Sequence, residues 1–505
     1  MRASTRTSRT TVTSRCSRRS APAIRGRPRR PCANTSSSCG SSSSRRSSKP
    51  DASAAYAQSV TPPSDISEEY RYCAQDIWEL WWCRHRGRLF GLDGSCREDP
   101  GLLRRRIRTF TELLSFAPPA LPTEATRVAE ARCLDDLRRL AKRRVPGFIF
   151  DYVEGAAVTE QAARDNEAAF ARRRFVPTVT ESAAGATLTT RLLGREHAMP
   201  IGIAPIGLTA LMRAAGETDG ARAAANRDVP FVLSTMGTRS IEHVADAAPA
   251  ARRWFQLYLR RDRDASLALV ERAAAAGFDT LVLTVDTRVP GQRYRDDRNR
   301  LSMPPRLTLR TAVQSALRPS WTLDLLAHDA PAMANFGPRS GRVTDVVGSM
   351  FDPALSLDDV RWLRTHWSGP IVVKGVLSAV DAERFIDAGA DAIWVSNHGG
   401  RQLDRAIAPV EIVGAVRAAV GDDVPILLDS GIRSGLDVVA AIACGADFVF
   451  LGRGYMYGLM AGGRVGVERA LALVANETLS TMQLLGVRTT AELRGRGTAV
   501  LAPTG

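Results

Sequence analysis

The chain has 505 residues, 44% of them hydrophobic and 24% charged, which is enough to bury the core of one large α/β domain with additional segments. Its formal net charge of +16 is typical of nucleic-acid-binding proteins, but the first fifty residues hold 13 Lys and Arg and no Asp or Glu. Taking those 13 from +16 leaves about +3, so the body of the chain lacks the basic surface that nucleic-acid binding requires.

An Arg- and Ser-rich extension, residues 1–104, begins the chain. Its serine runs at 36–38 and 41–44 and its lack of a hydrophobic period are typical of a low-complexity segment that does not order itself. Three interpretations remain open: a disordered basic tail, an organellar targeting segment, or residues translated upstream of the true start. The folded domain is expected to occupy residues 105–505.

Cysteine usage favours a reducing compartment, because only Cys133 and Cys444 lie in the body of the chain. The other cysteines lack the two- to four-residue spacing of a zinc site, so no metal site is predicted. No run of eighteen apolar residues occurs, and no membrane-spanning helix is expected. The cysteines of the extension are Cys16, Cys32, Cys39, Cys73, Cys83 and Cys96.

From residue 105 onward, short apolar runs alternate with segments of helical spacing. The first helix is predicted over 135–144, with Leu137, Leu140 and Ala141 on one face. Eight apolar runs read as buried strands, and their alternation with helices predicts a (β/α)8 barrel. An open doubly wound sheet is disfavoured because its glycine fingerprint is missing after the first strand. The runs are 201–204, 231–233, 254–257, 281–285, 371–373, 393–395, 426–428 and 448–451.

Three connections from helix to strand share a glycine followed two residues later by an aspartate. Glycine suits the left-handed position just past a helix, so the recurrence marks repeated αβ units. Two serines have the spacing of capping boxes that begin the next helices. The pairs are Gly277 with Asp279, Gly389 with Asp391, Gly445 with Asp447, Ser356 with Asp359, and Ser378 with Asp381.

An insertion over about 300–348, after the fourth predicted strand, interrupts this alternation. It interleaves apolar anchors with arginines, a pattern typical of a segment that lies in the membrane interface. The alternative is a lid that folds over the active site. The residues concerned are Leu307, Leu309, Val313, Leu317, Trp321, Leu325 and Leu326, with Arg306, Arg310 and Arg318.

Polar residues follow the predicted strands at the end where a parallel barrel carries its chemistry. Glycines and arginines after the last two strands are typical of a phosphate site, which implies a phosphate-bearing cofactor. Each residue also has a structural explanation: Lys374 can pair with a carboxylate, Asp429 can cap a helix, and Gln256 and Thr284 can be satisfied interior groups. The set comprises Gln256, Tyr258, Thr284, Asp286, Lys374, His398, Asp429, Ser430, Gly431, Ile432, Arg433, Gly452 and Arg453.

The loop at 396–404, with the sequence SNHGGRQLD, follows the sixth predicted strand. His398 can take up a proton near neutral pH, and Arg401 can hold a carboxylate through two parallel hydrogen bonds. An aldolase or an isomerase with a phosphate-binding barrel remains a competing class of enzyme. A colourless purified protein would favour that class.

Taken together, this loop, Asp286 in LTVDT, the QLY run at 256–258, Lys374-Gly375 and the DSGIRSGLDVV run from Asp429 resemble the FMN-dependent α-hydroxy-acid dehydrogenase and oxidase family. The resemblance covers the chain from about residue 105 to its end. Within the family, the PGQRYRD run at 290–296 and the stretch at 320–336 are most similar to bacterial quinone-linked L-lactate dehydrogenases. The second most similar branch is (S)-mandelate dehydrogenase.

The resemblance implies a role for each matching residue. His398 would be the active-site base, Asp286 would stabilise its imidazolium, and Tyr258 would contact the substrate hydroxyl. The substrate carboxylate would lie against Arg293, Arg401 and Tyr152. FMN would be held by Pro205, Ile206, Gly207, Ser234, Gln256, Thr284, Lys374 and Ser396, and its phosphate end by Asp429, Ser430, Gly431, Ile432, Arg433, Gly452 and Arg453. Family members often have a small polar residue at the position of Ile206, so only the backbone can contact FMN there.

The implied reaction is oxidation of an L-2-hydroxy acid, with L-lactate as the expected substrate and a quinone as the expected acceptor. Family members that react fast with oxygen carry alanine at the position of Gly207, so glycine favours a dehydrogenase. Alternatives are (S)-mandelate dehydrogenase and an oxygen-using oxidase. Whether His398 takes the C2 proton or the hydroxyl proton stays open. We expect a cytoplasmic homo-oligomer, a tetramer by resemblance, on the inner membrane face.

Overall fold

A computed structural model describes residues 123–299, 308–328, 331–336 and 351–503, together with Arg105 and Arg108. The predictions for residues 1–104, and those for Arg306 and Leu307, lie outside these ranges. Four helices precede the sheet: α1 (Glu124–Glu130), α2 (Leu134–Arg144), α3 (Gly147–Glu154) and α4 (Gln161–Ala171). Helix α2, predicted over 135–144, has acidic residues in its first turn and basic residues in its last, which suits the helix dipole.

The described part of the chain then contains ten strands, eight of them in a closed parallel barrel. Strands β1 (Thr190–Leu192) and β2 (Arg195–His197) form an antiparallel hairpin. The barrel order is β10-β3-β4-β5-β6-β7-β8-β9, so the last strand pairs with the first. The predicted (β/α)8 barrel is therefore confirmed. Its strands are β3 (Ile201–Ile203), β4 (Pro230–Ser234), β5 (Arg252–Leu257), β6 (Thr280–Thr284), β7 (Ile371–Val376), β8 (Ala392–Val395), β9 (Ile426–Leu428) and β10 (Phe448–Leu451).

The helices that cover and extend the barrel are α5 (Glu217–Asn226), α6 (Ile241–Ala247), α7 (Arg263–Ala275), α8 (Tyr294–Arg298), α9 (Leu309–Ala316), α10 (Pro319–Leu326), α11 (Leu357–His366), α12 (Ala379–Asp387), α13 (Pro409–Val420), α14 (Gly435–Ala443), α15 (Arg453–Leu484) and α16 (Thr490–Arg496). Short 3-10 turns occupy Thr209–Leu211, His398–Gly400 and Gly497–Val500. No helix that the structure describes is both long enough and apolar enough to cross a membrane.

The barrel interior is filled by aromatic and aliphatic side chains. Trp394 and Phe450 lie with ring centroids 4.0 Å apart, and Trp254 and Phe448 pack on Phe450 from other sides. Alternate residues of each strand face outward, so a second and larger apolar core lies between strands and helices. The barrel is thus a packed core, and only its rim is available for polar chemistry.

The repeated connections between helix and strand have the expected conformation. Gly277, Gly389 and Gly445 have φ of +73°, +105° and +120°. The carboxylates of Asp391 and Asp447 each accept the backbone N–H at the start of the neighbouring strand, at 2.7 Å. Ser356 and Asp359 form a full capping box, whereas Ser378 accepts the N–H of Asp381 without a reciprocal bond.

Helices α9 and α10 form a hairpin within the insertion. Leu309, Val313, Leu317 and Leu326 are 84%, 51%, 67% and 76% exposed, as an interfacial surface requires. The expectation that Trp321 belongs to that surface is wrong. It is 5% exposed, because its indole packs on the body of the protein and its Nε1–H donates to the Leu211 carbonyl at 2.8 Å.

Candidate active site

Five polar side chains form the layer of the barrel interior nearest the carboxyl ends of the strands. Each lies two residues beyond an inward-facing apolar residue, so strand alternation turns it toward the same interior. The pairs are Val232 with Ser234, Trp254 with Gln256, Val282 with Thr284, Val372 with Lys374, and Trp394 with Ser396. The sequence prediction that these residues share one rim is therefore supported by their positions.

Hydrogen bonds join this layer into a chain. Ser234 Oγ donates to Gln256 Oε1 at 3.0 Å, and Gln256 Nε2 donates to Thr284 Oγ1 at 3.0 Å. Ser234 lines the central cavity, whereas Gln256 and Thr284 are fully buried and absent from its lining. Both side chains have the hydrogen-bond partners that their explanation as interior groups anticipates, and their assignment to FMN binding stays a prediction.

Lys374 is a buried cation in the cavity wall. Its Nζ donates to Ser396 Oγ at 2.9 Å and lies 3.1 Å from Asp429 Oδ2. The pairing with a carboxylate anticipated as a structural alternative is present, but the ammonium also faces the cavity. Asp429 does not cap the following helix, since Ser434 is the N-cap of α14.

His398 and Asp286, the predicted base and its carboxylate partner, lie in contact with each other. His398 Nδ1 lies 3.1 Å from Oδ1 and 3.2 Å from Oδ2 of Asp286. Burial acts to raise the pKa of Asp286, but His398 and then Lys374 outweigh it and lower the pKa below its usual value. Asp286 therefore remains ionised beside an imidazole whose other nitrogen is available to the cavity.

The backbone around this pair is strained in a way that orients it. His398 has φ of +58°, an uncommon conformation for a residue with a side chain, and its N–H donates to Ser396 Oγ at 3.0 Å. Gly375 has φ of +104°, and a Cβ there would lie 2.6 Å from the Asp286 side chain. Glycine at 375 is thus required for the approach of Asp286 to His398.

Two tyrosines and two arginines line the same cavity: Tyr152, Tyr258, Arg293 and Arg401. Arg401 Nη1 donates to the carbonyls of Tyr152 at 2.8 Å and Gly155 at 2.7 Å. Burial, followed by the charge of Arg293, lowers the pKa of Arg401. Burial, followed by Asp286, raises the pKa of Tyr258, so its hydroxyl stays a proton donor. The group can bind a small carboxylate beside a hydroxyl.

A second cationic region lies where β9 and β10 end. Arg453 donates to the carbonyls of Val153 at 3.0 Å, Gly399 at 2.9 Å and Gly155 at 2.8 Å. Burial, followed by Arg433 and Arg401, lowers the pKa of Arg453 to about 10. Arg433 pairs with Glu167 at 2.8 Å. Mutual repulsion among buried guanidinium groups favours binding of an anion here.

The histidine loop is fixed by residues that the sequence analysis did not single out. Asn166 and Asn397 are buried and exchange hydrogen bonds, Asn397 Nδ2 to Asn166 Oδ1 at 2.6 Å and Asn166 Nδ2 to Asn397 Oδ1 at 2.9 Å. Asp404 accepts the N–H of Thr159 at 2.8 Å and of Ala162 at 2.9 Å, and so caps α4. A lone Asn in a helix and an Asp in a loop carry no signal of these partners.

The cavity itself contains about 1390 Å³ of space, including the part open to solvent. Its lining runs from Tyr152 to Met456, so most of the barrel contributes to one cavity. Several wall residues were not predicted, because they come from helices, strands and loops alike and their side chains carry no signal of a site. They are Val153, Ala204, Met236, Thr287, Pro290, Phe351, Gly399, Gln402, Phe450 and Met456.

The residues present fit FMN. The buried arginines supply positive charge for a phosphate, and at Gly452 the position of a Cβ has open space around it, so its backbone is accessible to a ligand. Lys374 and Ser234 supply donors to a flat polar ring on the cavity side of the barrel layer. Within the described ranges, no group of three His, Cys, Asp or Glu side chains is placed to hold a metal ion.

Comparison with known proteins agrees with this geometry. A Mycobacterium tuberculosis protein provisionally named L-lactate dehydrogenase is 45% identical over 391 residues, covering 77% of this chain and 94% of its own. An L-lactate dehydrogenase of Allorhizobium ampelinum is 42% identical over 365 residues, covering 71% and 96%. The crystal structure of the monotopic membrane protein (S)-mandelate dehydrogenase is 36% identical, with a TM-score of 0.71, covering 74% and 99%.

The pattern of the family described as FMN-dependent dehydrogenase matches residues 141–499, which include every described strand of the barrel and both halves of the candidate site. The chain therefore belongs to the FMN-dependent dehydrogenases, and its cofactor is FMN.

Proposed function

We propose that this enzyme oxidises L-lactate to pyruvate and passes the electrons to a quinone at a membrane surface. The observation that carries the proposal is the His398–Asp286 pair opening into a cavity that also holds Arg401 and Tyr258. A base, a carboxylate-binding cation and a hydroxyl-binding donor are the groups that oxidation of a 2-hydroxy acid requires.

The substrate carboxylate binds Arg401 and Arg293, with Tyr152 beside it. Two guanidinium groups fix the carboxylate in one orientation, which replaces a loose collision with a single reactive geometry. The hydroxyl then faces Tyr258, whose raised pKa keeps it protonated and able to donate. Arg401 exchanges its bonds to the carbonyls of Tyr152 and Gly155 for the substrate.

His398 accepts the proton that leaves the substrate, at the nitrogen opposite Nδ1. Asp286, ionised and in contact with Nδ1, stabilises the imidazolium that results. The charge pair forms only as the reaction proceeds, so its stabilisation lowers the barrier and not merely the energy of the bound substrate.

Nine cavity-lining residues would hold FMN: Pro205, Ile206, Gly207, Ser234, Lys374, Ser430, Gly431, Arg433 and Arg453. FMN, when bound, supplies the two-electron oxidation of the substrate and passes those electrons to a second acceptor. Lys374 places positive charge where the reduced ring is negative, and Arg433 and Arg453 offset the phosphate.

Lactate is preferred to mandelate because the relatives at 45% and 42% identity carry the name L-lactate dehydrogenase. The solved (S)-mandelate dehydrogenase, at 36% identity, favours the alternative. Steady-state kinetics with L-lactate, (S)-mandelate and glycolate decide between them. A kcat/KM for (S)-mandelate above that for L-lactate contradicts the lactate assignment.

The acceptor proposal rests on Gly207. A Cβ at Gly207 would lie 2.7 Å from the Met236 Cβ, so this glycine also has a packing role that the sequence did not reveal. Gly207→Ala therefore displaces Met236 as well as changing the cavity wall. Reoxidation of the reduced wild-type enzyme is the cleaner measurement: we expect slow reaction with oxygen and fast reaction with a quinone analogue. Full turnover with oxygen alone would establish an oxidase instead.

A further inference from the structure

The hairpin of α9 and α10 is bonded to a segment that supplies part of the cavity wall. Trp321 Nε1 donates to the Leu211 carbonyl at 2.8 Å, and Asp324 Oδ2 accepts the Ala214 N–H at 3.2 Å. Leu211 and Ala214 follow closely on Pro205, Ile206 and Gly207, which line the cavity. This part of the chain, residues 205–214, is called the wall segment below.

The wall segment is short, and two of its backbone N–H groups are bonded to residues 236–238. Three residues separate Gly207 from Leu211, and a 3-10 turn occupies Thr209–Leu211. Leu208 N donates to the Met236 carbonyl at 3.0 Å, and Ala210 N donates to Thr238 Oγ1 at 3.1 Å. A displacement at Leu211 is therefore carried to Gly207 rather than absorbed by a flexible loop.

The same hairpin is bonded to a second wall element, helix α3. The Phe148 N–H donates to Gln314 Oε1 at 3.2 Å, and the rings of Phe148 and Trp321 meet edge to face at 6.3 Å. Tyr152 and Val153, one helical turn further along α3, line the cavity. The indole of Trp321 thus contacts both the wall segment, at Leu211, and helix α3, at Phe148.

Charges reinforce this contact. Asp324 Oδ2 lies 3.5 Å from Arg144 and 3.6 Å from Arg213, and Glu124 pairs with both arginines at 3.0 Å and 2.9 Å. Arg144 is largely buried, with 9% of its side chain exposed. The hairpin therefore contributes one of two carboxylates that balance two arginines of α2 and the wall segment.

We propose that Trp321 and Asp324 are positioning residues that hold the wall segment and α3 in place around FMN. The proposal rests on the proposed FMN site, but it concerns residues that do not line the cavity. A displacement of α9 and α10 therefore changes the positions of the wall segment and α3, and with them the shape of the FMN cavity.

The test uses the FMN-loaded enzyme and three variants of α10. Trp321→Phe keeps an aromatic ring against Phe148 but removes the bond to Leu211. Asp324→Ala removes the bond to Ala214. Ser320→Ala, an exposed residue next to Trp321, is the matched control. Because one hydrogen bond is worth about a two- to tenfold change in an equilibrium, we expect FMN dissociation to rise by that factor in the first two variants.

The visible absorption spectrum of bound FMN provides the second measurement, since a structural role alone would not change it. We expect a shifted spectrum and a change in kcat without an equal change in KM for Trp321→Phe and Asp324→Ala, and wild-type values for Ser320→Ala. A lowered melting temperature with unchanged spectrum, FMN affinity and kcat overturns the proposal. If no 2-hydroxy acid is oxidised by any form, the spectrum and FMN affinity still decide it.

Discussion

The imidazole of His398 meets the carboxylate of Asp286 at 3.1 Å although 112 positions separate them in the chain. The pair joins the ends of β6 and β8, and Lys374 at the end of β7 lies close enough to lower the pKa of the carboxyl. The site is therefore one electrostatic unit built from three adjacent strands.

His398→Ala should bind FMN and give a yellow protein that substrate reduces far more slowly. A general base typically contributes on the order of 10²–10⁴-fold, so the rate of anaerobic flavin reduction should fall by that factor. Stopped-flow absorbance measures it. Rapid bleaching of the variant by L-lactate would falsify the assignment of His398 as the base.

Asp286→Asn should leave substrate affinity nearly unchanged while flavin reduction slows by about two orders of magnitude. The neutral amide cannot stabilise the imidazolium, which exists only after the proton has moved. Comparison of kcat with KM for wild type and variant checks this. A rise in KM with an unchanged kcat would assign Asp286 to substrate binding instead.

Asp404→Asn should lower the free energy of unfolding near neutral pH, because a neutral amide oxygen accepts the N–H groups of Thr159 and Ala162 less strongly than a carboxylate does. Burial acts to raise the pKa of Asp404, but hydrogen bonds from Thr159, Ala162 and Arg405 outweigh it and lower the pKa to about 2. The folded pKa is below the ordinary value, so the stabilisation is complete above about pH 4 and is lost as the pH falls toward 2.

Denaturant unfolding of the FMN-loaded enzyme at pH 6 and pH 3 measures this difference. The gap between wild type and Asp404→Asn should be larger at pH 6. Asp246→Asn, at an exposed position of α6, serves as the control and should match wild type at both values. A gap that does not change with pH would mean that the carboxylate charge of Asp404 does not contribute.

Replacing Leu309, Leu317 and Leu326 with serine should release the enzyme from membranes. A deletion of residues 306–340 would remove the buried Trp321 and Asp324 contacts as well as the exposed surface. The three substitutions change only exposed positions. Leu484→Ser, 73% exposed at the end of α15, is the control and should remain bound. Sedimentation with phospholipid vesicles measures binding, and wild-type enzyme that stays in the supernatant contradicts membrane attachment.

A shortened chain that begins at Gly101 should fold, bind FMN and turn over at the wild-type rate. Each residue of the described cavity lining lies beyond position 150, so the extension supplies none of those groups. The ratio of flavin to protein and kcat for the purified shortened chain test this. Loss of flavin would show that the extension stabilises the barrel.

The barrel was predictable because its strands are continuous apolar runs that end at polar residues. Parallel strands share one rim, so the sequence alone predicts that His398, Asp286 and Arg401 are neighbours. The hairpin of β1 and β2 was missed since its strands have three residues each. Its turn has two positive φ values, at Leu193 and Gly194, without the usual Asn-Gly signal.

Other features depend on neighbours that are distant in sequence. The sequence around Trp321 predicts an interfacial anchor. Its burial depends on a hydrogen bond to Leu211, which is 110 positions away in the chain. The reciprocal bonds between Asn166 and Asn397 and the cap that Asp404 gives α4 join residues more than 200 positions apart. Local periodicity contains no information on such pairs.

Pairing of β10 with β3 means that the first barrel strand finds one of its two partners only after nearly the whole chain has been made. When residues up to 440 have left the ribosome, every barrel strand except β10 is available to fold. The edges of β3 and β9 that pair with β10 are then still open. Such contacts of high sequence separation fold slowly, and open edges favour aggregation. Arg453 and Pro205 come from opposite sides of this last seam, so the cavity proposed for FMN is complete only after β10 has paired with β3.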